Sequence, residues 1–415
     1  MNHLLITKFD ELDLILKTFF ANNLNRKDNP QNHENFNADV FILAKKIYKR
    51  GFISESIDNS CEHKFGEFFY YNENEFLLFI HSLLNEKIYF VIDQNVFKNF
   101  SGLTKILSNS SYFVFEASEK NKNLENVRNI MNSIPNGCKK MIAIGGGILL
   151  DLAGFISGLL QSEIYYVPTT LLAAIDAGLG GKTGVNFFPF GKNLVGLFKE
   201  AEAYIYAPYF FHTLSSPQIL CGLVEALKHA WIFGEINNDI KLIHKIYKNN
   251  YSFDELKLLI EKNIQYKTQV VQNDFYETKD IRSALNLGHT FAHVLEVLSE
   301  ENIINPLPHG IAVAHGINFL ISNNLLTIPK FVPEFESLLA EIINDYPVKK
   351  IKTVSTHFLK TILSQDKKND DKEMCNLSLP NYGHFKLGNV INNAIPVTYK
   401  HSLDNIVKCF ENYIK

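Results

Sequence analysis

Short apolar runs alternate with helical segments between residues 64 and 214, and this alternation constrains the fold more than any other feature. The runs are rich in β-branched and aromatic residues and occupy residues 88–92, 112–116, 141–144 and 164–167. Strands separated by helices at this spacing are typical of an α/β domain with a parallel sheet. Ligands of such sheets lie at the carboxyl ends of the strands. We therefore expect binding residues in the polar and glycine-rich clusters that follow these runs.

The second half of the chain is predicted to be mostly helical. Apolar residues recur at helical spacing over four long segments, at residues 218–233, 254–274, 281–298 and 311–326. The predicted organisation is a helical N-terminal extension over residues 1–55, an α/β domain over 56–214 and a helical domain over 215–415. Within the extension, residues 3–20 and 38–48 carry helical periodicity.

Composition and charge exclude several classes of partner. The chain has 41 basic and 44 acidic residues, a net charge of −3, and no polybasic block. Nucleic acid and anionic membranes are therefore not expected partners. The most apolar window, residues 141–160, contains three glycines and Asp151, so a strand, a turn and a helix are expected there instead of a membrane span. Five scattered cysteines and no secretory signal predict a cytoplasmic protein.

Four polar residues in an apolar segment form the first candidate site. Arg282, Asn286, His289 and His293 are spaced by four, three and four residues, so on one continuous helix they would share a face. The rest of the segment is largely apolar, which predicts burial, and buried polar groups require partners. A single buried histidine is more simply interpreted as part of a structural hydrogen-bond network, but four polar side chains at helical spacing favour a functional site.

Two further elements would complete a metal centre. Glu225 and Lys228 lie three residues apart in an apolar helix, and His309 precedes another apolar helix. Two histidines and one glutamate form a competent catalytic zinc set that leaves a coordination position for a substrate oxygen. The HTFAH segment lacks the glutamate of the metalloprotease helix, so peptide hydrolysis is not indicated.

Glycine-rich segments provide candidate anion sites. The turn at residues 145–147 lies between a strand and a helix, where backbone amides can approach a pyrophosphate. Residues 176–186 and 191–193 place Lys182 and Lys192 among glycines, which suits an anionic ligand. Tight packing is the alternative for the first segment, and a solvated loop for the second.

The motifs together resemble the dehydroquinate synthase family of sugar phosphate cyclases. GGGILLDLAGF, VPTTLLAAIDAGLGGKTGVN, GKN, GLVEALK, LNLGHTFAH and PHG occur in the family's order, and the resemblance covers roughly residues 60–395. It implies a Rossmann-like NAD-binding domain with a parallel sheet, followed by a mostly helical metal-binding domain, in a homodimer. The implied cofactors are NAD and zinc, or cobalt in place of zinc.

The resemblance also implies a role for individual residues. The metal ligands would be Glu225, His289 and His309. The cofactor-binding positions would be Asp93, Asn95, Glu119, Lys122, Gly146, Gly147, Asp151, Thr169, Thr170 and Thr213. The substrate and catalytic positions would be Asp176, Lys182, Lys192, Asn193, Lys228, Lys267, Arg282, Asn286, His293 and Lys368.

The implied enzyme is a carbon–oxygen lyase of the shikimate pathway. It would convert 3-deoxy-arabino-heptulosonate 7-phosphate to 3-dehydroquinate and phosphate by transient NAD oxidation, phosphate elimination, re-reduction and aldol cyclisation. Lys267 and Arg282 suit the substrate carboxylate. One departure is Leu160, where the family usually has a phosphate-binding arginine. A cyclase acting on an amino analogue or on sedoheptulose 7-phosphate, and a metal-dependent polyol dehydrogenase, remain alternatives.

Overall fold

The chain forms two compact units. The computed structural model describes residues 67–84, 87–187, 191–327, 332–364, 374–380, 383–385 and 397–414. The first unit runs to Thr169 and includes Gly181–Tyr209, and the second comprises Thr170–Gly180 and the chain from Phe210 onward. The segment Thr170–Gly180, inside the predicted α/β domain, thus packs with the second unit. The helices predicted at residues 3–20 and 38–48 lie outside the described residues.

A six-stranded parallel sheet forms the centre of the first unit. Its strands are β1 (Glu67–Tyr70), β2 (Ile88–Asp93), β3 (Ser111–Phe115), β4 (Lys140–Gly145), β5 (Glu163–Pro168) and β8 (Ala203–Tyr206). Their order in the sheet is β1-β8-β5-β4-β2-β3, and every neighbouring pair is parallel. All four strands predicted from apolar runs are present in it.

Helices follow most of these strands, as a parallel sheet requires. They are α1 (Glu73–Ser82), α2 (Gln94–Asn99), α3 (Ser101–Leu107), α4 (Leu124–Ser133) and α5 (Gly147–Leu160). Much of the glycine-rich segment for which a solvated loop is the alternative interpretation forms an antiparallel hairpin of β6 (Lys182–Phe187) and β7 (Gly191–Phe198). Gly154 of α5 permits close packing, because a Cβ there would lie 2.5 Å from Cγ2 of Thr183.

The second unit is mostly helical, as predicted. A π-helical turn at Ala173–Ala177 and a 3-10 helix at Arg282–Asn286 accompany its helices. Two short antiparallel strands that the sequence did not indicate, β9 (Met374–Leu379) and β10 (Val397–Ser402), pair near the end of the chain. The helices are α6 (Ser216–Phe233), α7 (Ile236–Tyr247), α8 (Phe253–Asn273), α9 (His289–Glu300), α10 (His309–Ser322), α11 (Pro333–Asp345), α12 (Thr356–Ser364) and α13 (Leu403–Tyr413).

The prediction of a continuous helix over residues 281–298 is wrong. The 3-10 helix ends at Asn286, and α9 begins only at His289. Gly288 interrupts the segment with φ of +78°, a conformation that favours glycine. A Cβ at this position would also lie 2.8 Å from Cγ1 of Ile317. The four polar residues therefore do not form one helical stripe. Among the described helices, none is both long enough and apolar enough to cross a membrane.

Candidate metal centre and nucleotide-binding residues

Glu225, His289 and His309 converge within the second unit. Glu225 lies in the middle of α6, whereas the two histidines are the first residues of α9 and α10. One potential ligand atom of each residue lies within 4.8 Å of the others. Nε2 of His289 is 3.7 Å from Oε1 of Glu225. The structure thus brings together the three residues proposed as metal ligands.

The chemistry of this cluster fits a bound cation. The Glu225 side chain is fully buried, and its Oε1 atom has no hydrogen-bond partner among the described residues. An unpartnered carboxylate oxygen in the protein interior is costly, and a metal ion would satisfy it. One carboxylate and two imidazoles are also a donor set of catalytic zinc sites. The residues present therefore fit zinc.

Close packing of α10 against α6 positions His309, the third candidate metal ligand. His309 follows Pro308, the N-cap residue of α10, and Gly310 comes next. A Cβ on Gly310 would lie 2.3 Å from Cα of Cys221 in α6, so only glycine allows this approach. Because Cys221 precedes Glu225 by about one helical turn, the contact holds the start of α10 beside the glutamate.

The two histidines have different partners at Nδ1. Nδ1 of His289 is 3.1 Å from the carbonyl oxygen of Leu287, whereas Nδ1 of His309 is 3.1 Å from Oε1 of Glu296. Burial, reinforced by the charge of Lys228, holds the pKa of His289 well below its ordinary value. Burial also lowers the pKa of His309, but the hydrogen bond and charge of Glu296 outweigh it, so the net pKa is raised.

Three predicted substrate residues with cationic side chains lie in the same unit as the candidate metal centre. Nζ of Lys228 donates to Oε2 of Glu225, and both side chains are buried. Nζ of Lys267 is 2.7 Å from Oδ1 of Asp176. Arg282 is 5% exposed, and its guanidinium donates to the carbonyl oxygens of Gly180 and Phe275. All three side chains are therefore held by hydrogen bonds or ion pairs within the second unit.

Asp176 and Lys267 form an ion pair whose members titrate differently. Burial raises the pKa of Asp176, but Lys267, Lys228 and His229 outweigh it and hold this pKa well below the ordinary value. Burial lowers the pKa of Lys267, and Asp176 offsets only part of that effect. Asp176 is therefore a carboxylate at neutral pH, which stabilises the positive charge of Lys267.

Sequence reasoning missed a buried histidine in this region. His229 follows Lys228 in α6, and its Nδ1 atom is 3.0 Å from Oδ1 of Asn263. Its Nε2 atom lies 3.8 Å from Oδ1 of Asp176. Burial and then Lys228 lower the pKa of His229 to about 3, so the ring is neutral. Because α6 is apolar on nearly every side, the sequence does not distinguish His229 from a residue of the core.

The remaining predicted substrate residues occupy varied positions. Asn286 is half-buried at the end of the 3-10 helix, and His293 is exposed with its ring 6.0 Å from that of His289. Lys182 is exposed at the start of β6, and Lys192 is half-buried in β7. Lys368 lies outside the described residues.

In the first unit, predicted cofactor residues follow the ends of neighbouring strands. Asp93 ends β2 and caps α2, since its Oδ1 atom accepts from the amide of the exposed Asn95 at 2.7 Å. Gly146 follows β4 and is the N-cap of α5, with no side-chain hydrogen bond at that cap. Gly147 is the first residue of α5, and the amide of Thr169 donates to the carbonyl oxygen of Gly145.

A polar network, in which Lys122 and Asn186 are buried, joins the other predicted residues of this unit. Nζ of Lys122 donates to Asp151 and, at 2.7 Å, to Oδ1 of Asn193. Asn193 in turn donates its amide to Oδ1 of Asn186, at 2.9 Å. The side chain of Asn186 donates to Oε2 and the backbone oxygen of Glu119. Asn186, which the sequence did not single out, therefore links Glu119 to Asn193.

Two predicted cofactor residues belong to the second unit. The hydroxyl of Thr170 accepts from the amide of Ala173, and the hydroxyl of Thr213 donates to the carbonyl oxygen of Phe210. Both contacts lie within that unit.

Comparison with known protein families matches most of the described chain. The model of the 3-dehydroquinate synthase N-terminal region matches residues 112–221, and that of the C-terminal region matches residues 222–369. A 3-dehydroquinate synthase of Pelagibacter ubique is 36% identical over 71% of this chain and 82% of the relative. The enzyme of Staphylococcus carnosus is 33% identical over 77% of this chain and 91% of the relative.

Solved structures share the fold at lower sequence identity. A 2-deoxy-scyllo-inosose synthase complexed with carbaglucose-6-phosphate, NAD+ and Co2+ matches with a TM-score of 0.68 and 22% identity, over 83% of this chain and 96% of that chain. A 2-epi-5-epi-valiolone synthase from Streptomyces hygroscopicus, with NAD+ and Zn2+ bound, matches with a TM-score of 0.65 and 20% identity, over 85% and 98%. The chain therefore belongs to the 3-dehydroquinate synthase family and is an enzyme of the phosphate-eliminating cyclase type.

Proposed function

We propose that the protein converts 3-deoxy-arabino-heptulosonate 7-phosphate to 3-dehydroquinate and phosphate, with NAD and zinc as cofactors. The observation that carries the proposal is the buried Glu225 oxygen facing His289, with Lys228, Lys267 and Arg282 in the same unit. The relatives named 3-dehydroquinate synthase at 33–36% identity support this substrate. The solved cyclases with other products share 20–22% identity, which supports only the common fold.

The metal would be held by Oε1 of Glu225 together with His289 and His309. When bound, zinc supplies Lewis acidity toward a substrate oxygen and NAD supplies reversible hydride transfer. Lys228 occupies Oε2 of Glu225 and thereby leaves Oε1 to face His289. The low pKa of His289 keeps its imidazole neutral, the form in which histidine binds metals.

Lys267 and Arg282 would bind the carboxylate of the substrate. Two backbone carbonyls fix the plane of the Arg282 guanidinium, and a planar guanidinium can bind a carboxylate through two parallel hydrogen bonds. Asp176 holds the ammonium of Lys267. A substrate without a carboxylate could not accept hydrogen bonds from Lys267 and Arg282, and the loss of these charge-assisted bonds would disfavour its binding.

The residues of the first unit would bind the dinucleotide. The amides at the start of α5 suit a pyrophosphate, because no side chain caps that helix. The network of Lys122, Asp151, Asn186 and Asn193 holds its polar groups in fixed positions before any ligand arrives. Such preorganisation lowers the entropic cost of binding.

The N-terminal extension does not by itself indicate a specialised enzyme. A 3-dehydroquinate synthase of Buchnera aphidicola subsp. Cinara cedri is 30% identical over 92% of this chain and 97% of the relative. Residues 56–415 are 360 of the 415 residues, or about 87%, so that match necessarily includes part of the extension.

A substrate panel tests the proposal. Purified protein with zinc and NAD is given the heptulosonate phosphate, its amino analogue or sedoheptulose 7-phosphate, while released phosphate and NADH are recorded together. We expect phosphate release with the heptulosonate phosphate and no accumulation of NADH, because the hydride returns to the substrate. Stoichiometric NADH would instead establish a polyol dehydrogenase. A preference for either other phosphate would replace the proposed substrate.

A further inference from the structure

Glu296 contacts a proposed metal ligand but is not itself in the ligand set. It lies on α9, seven residues after His289, so that two helical turns place both on one face. Its Oε1 atom is 3.1 Å from Nδ1 of His309, and its side chain is 23% exposed. The pairing joins the middle of α9 to the first residue of α10.

The pairing determines which nitrogen of His309 can bind a cation. A carboxylate only accepts hydrogen bonds, so Nδ1 of His309 must carry the proton that it donates to Glu296. In the neutral ring the lone pair then lies on Nε2. His289 reaches the same tautomer through the carbonyl oxygen of Leu287. Both rings therefore offer Nε2, and Nε2 of His289 already faces Glu225.

The hydrogen-bond partners of the two histidines at Nδ1 differ in charge, and this difference affects metal binding. Either partner orients the ring and increases the basicity of the imidazole, but only a carboxylate adds a full negative charge that compensates a bound cation. The candidate centre contains one ligand carboxylate, and Lys228 is hydrogen-bonded to it. A second negative charge from Glu296 thus favours a divalent cation in a region where Lys228 opposes one.

We propose that Glu296 is a positioning residue of the metal centre, which fixes the tautomer and orientation of His309 and raises its affinity for a divalent cation. This inference rests on the metal centre of the proposed function. It is independent of which sugar phosphate the enzyme converts, because the contact involves only the protein and the metal ligand.

Metal affinity measures this role directly. The full-length protein is stripped of metal, and its dissociation constant for Zn²⁺ is determined by competition with a chromophoric chelator. We expect Glu296→Ala to weaken zinc binding by about 10–100-fold. Glu296→Gln keeps an acceptor of the same size but removes the charge, so its affinity should lie between those of wild type and Glu296→Ala.

Glu300→Gln is the matched control. Glu300 is exposed at the end of the same helix, so its substitution should leave zinc affinity unchanged. A second readout is the Nδ1–H resonance of His309 in the proton NMR spectrum, which should be slowly exchanging in wild type and exchange-broadened in Glu296→Ala. Thermal unfolding of the metal-free variants establishes that they are folded, and Glu296→Gln carries the test if Glu296→Ala is not.

Three results would overturn the inference. They are wild-type zinc affinity in both Glu296 variants, an equal loss of affinity in Glu300→Gln, and a wild-type protein that binds no zinc. The proposed reaction fails separately: a wild type that binds zinc but releases no phosphate from the panel would refute the reaction and leave the role of Glu296 intact.

Discussion

Two polar clusters, one in each unit, differ in how their hydrogen-bonding groups are satisfied. In the first unit, Lys122, Asp151, Asn186 and Asn193 bond to one another. In the second unit, Oε1 of Glu225 faces Nε2 of His289 at 3.7 Å and has no hydrogen-bond partner among the described residues. The groups of the first cluster have hydrogen-bond partners without a ligand, whereas a bound cation would provide a partner for Oε1 of Glu225 in the second. Ligand binding should therefore stabilise the second cluster more.

The largest expected effect follows from removing the buried carboxylate. Glu225→Ala should eliminate bound zinc and lower the turnover number by at least about a thousandfold, as expected when a ligand of a catalytic metal is lost. Metal analysis and phosphate release measure both quantities. Glu235→Gln, just beyond the end of α6, is the control and should retain zinc and activity. Full activity in Glu225→Ala would refute the metal assignment.

A smaller effect is expected at the ion pair of Asp176 and Lys267. Lys267→Met leaves the half-buried Asp176 carboxylate without its nearest cation, a change that costs about 2–5 kcal/mol where such a pair is fully buried. We expect kcat/KM for the heptulosonate phosphate to fall by about 100-fold or more, with zinc content unchanged. Lys257→Met, on an exposed face of the same helix α8, should have little effect. Loss of zinc in Lys267→Met would place Lys267 in the metal centre instead.

The network of the first unit should respond differently. Asn186→Ala removes hydrogen bonds to Glu119 and Asn193, so we expect NAD to bind about tenfold more weakly, which corresponds to one lost hydrogen bond of about 1.4 kcal/mol. Zinc content should not change. Calorimetric titration with NAD measures the affinity, and Asn99→Ala, at the end of α2, is the control. Unchanged NAD affinity would separate this network from the cofactor site.

The smallest effect concerns Glu200 in the first unit, whose Oε1 atom also has no hydrogen-bond partner in the part of the chain that the structure describes. Burial and then the charge of Glu202 raise its pKa to about 7. The folded state therefore keeps a proton that the unfolded chain releases above about pH 4.5, and stability is lost as pH rises toward 7. Glu200→Gln should be neutral near pH 4.5 and more stable than wild type by about 1–2 kcal/mol at pH 8, after allowance for solvent screening.

Denaturant unfolding of the two proteins at pH 4.5 and pH 8 measures this difference, and Glu202→Gln provides a charge-matched comparison. Zinc should stabilise both equally, because Glu200 lies in the other unit from the candidate ligands. An equal effect of Glu200→Gln at both pH values would show that the carboxyl group does not titrate in this range.

The sequence predicted the secondary structure well where hydrophobic periodicity was strong. The four strands and the helices at α6 and α8 were recognisable because burial demands a regular apolar pattern. The hairpin of β6 and β7 was missed, because its glycines and polar residues resemble a loop. The break at Gly288 was missed as well. Its cause is a close approach to Ile317, a contact between distant residues that local spacing does not reveal.

The candidate metal ligands were proposed from residue types and motif order, and the structure brings them together, whereas several of the supporting residues were not predicted. His229, Asn186 and Glu296 have ordinary sequence surroundings, and only the fold shows what they touch. The incorrect helical stripe nevertheless included His289 and His293, because both residues lie in α9 itself. Contacts between residues that are distant in sequence decide which side chains support the candidate site, and local sequence patterns do not show such contacts.

The most direct test of the candidate metal centre is the stability of the metal-free protein with and without zinc. For the wild type, zinc at about 100 times its dissociation constant should add about 2.7 kcal/mol to the free energy of unfolding. Asn186→Ala should gain as much, and Glu225→Gln should gain nothing at the same concentration. Equal stabilisation of wild type and Glu225→Gln would contradict the assignment of Glu225, His289 and His309 as the metal centre.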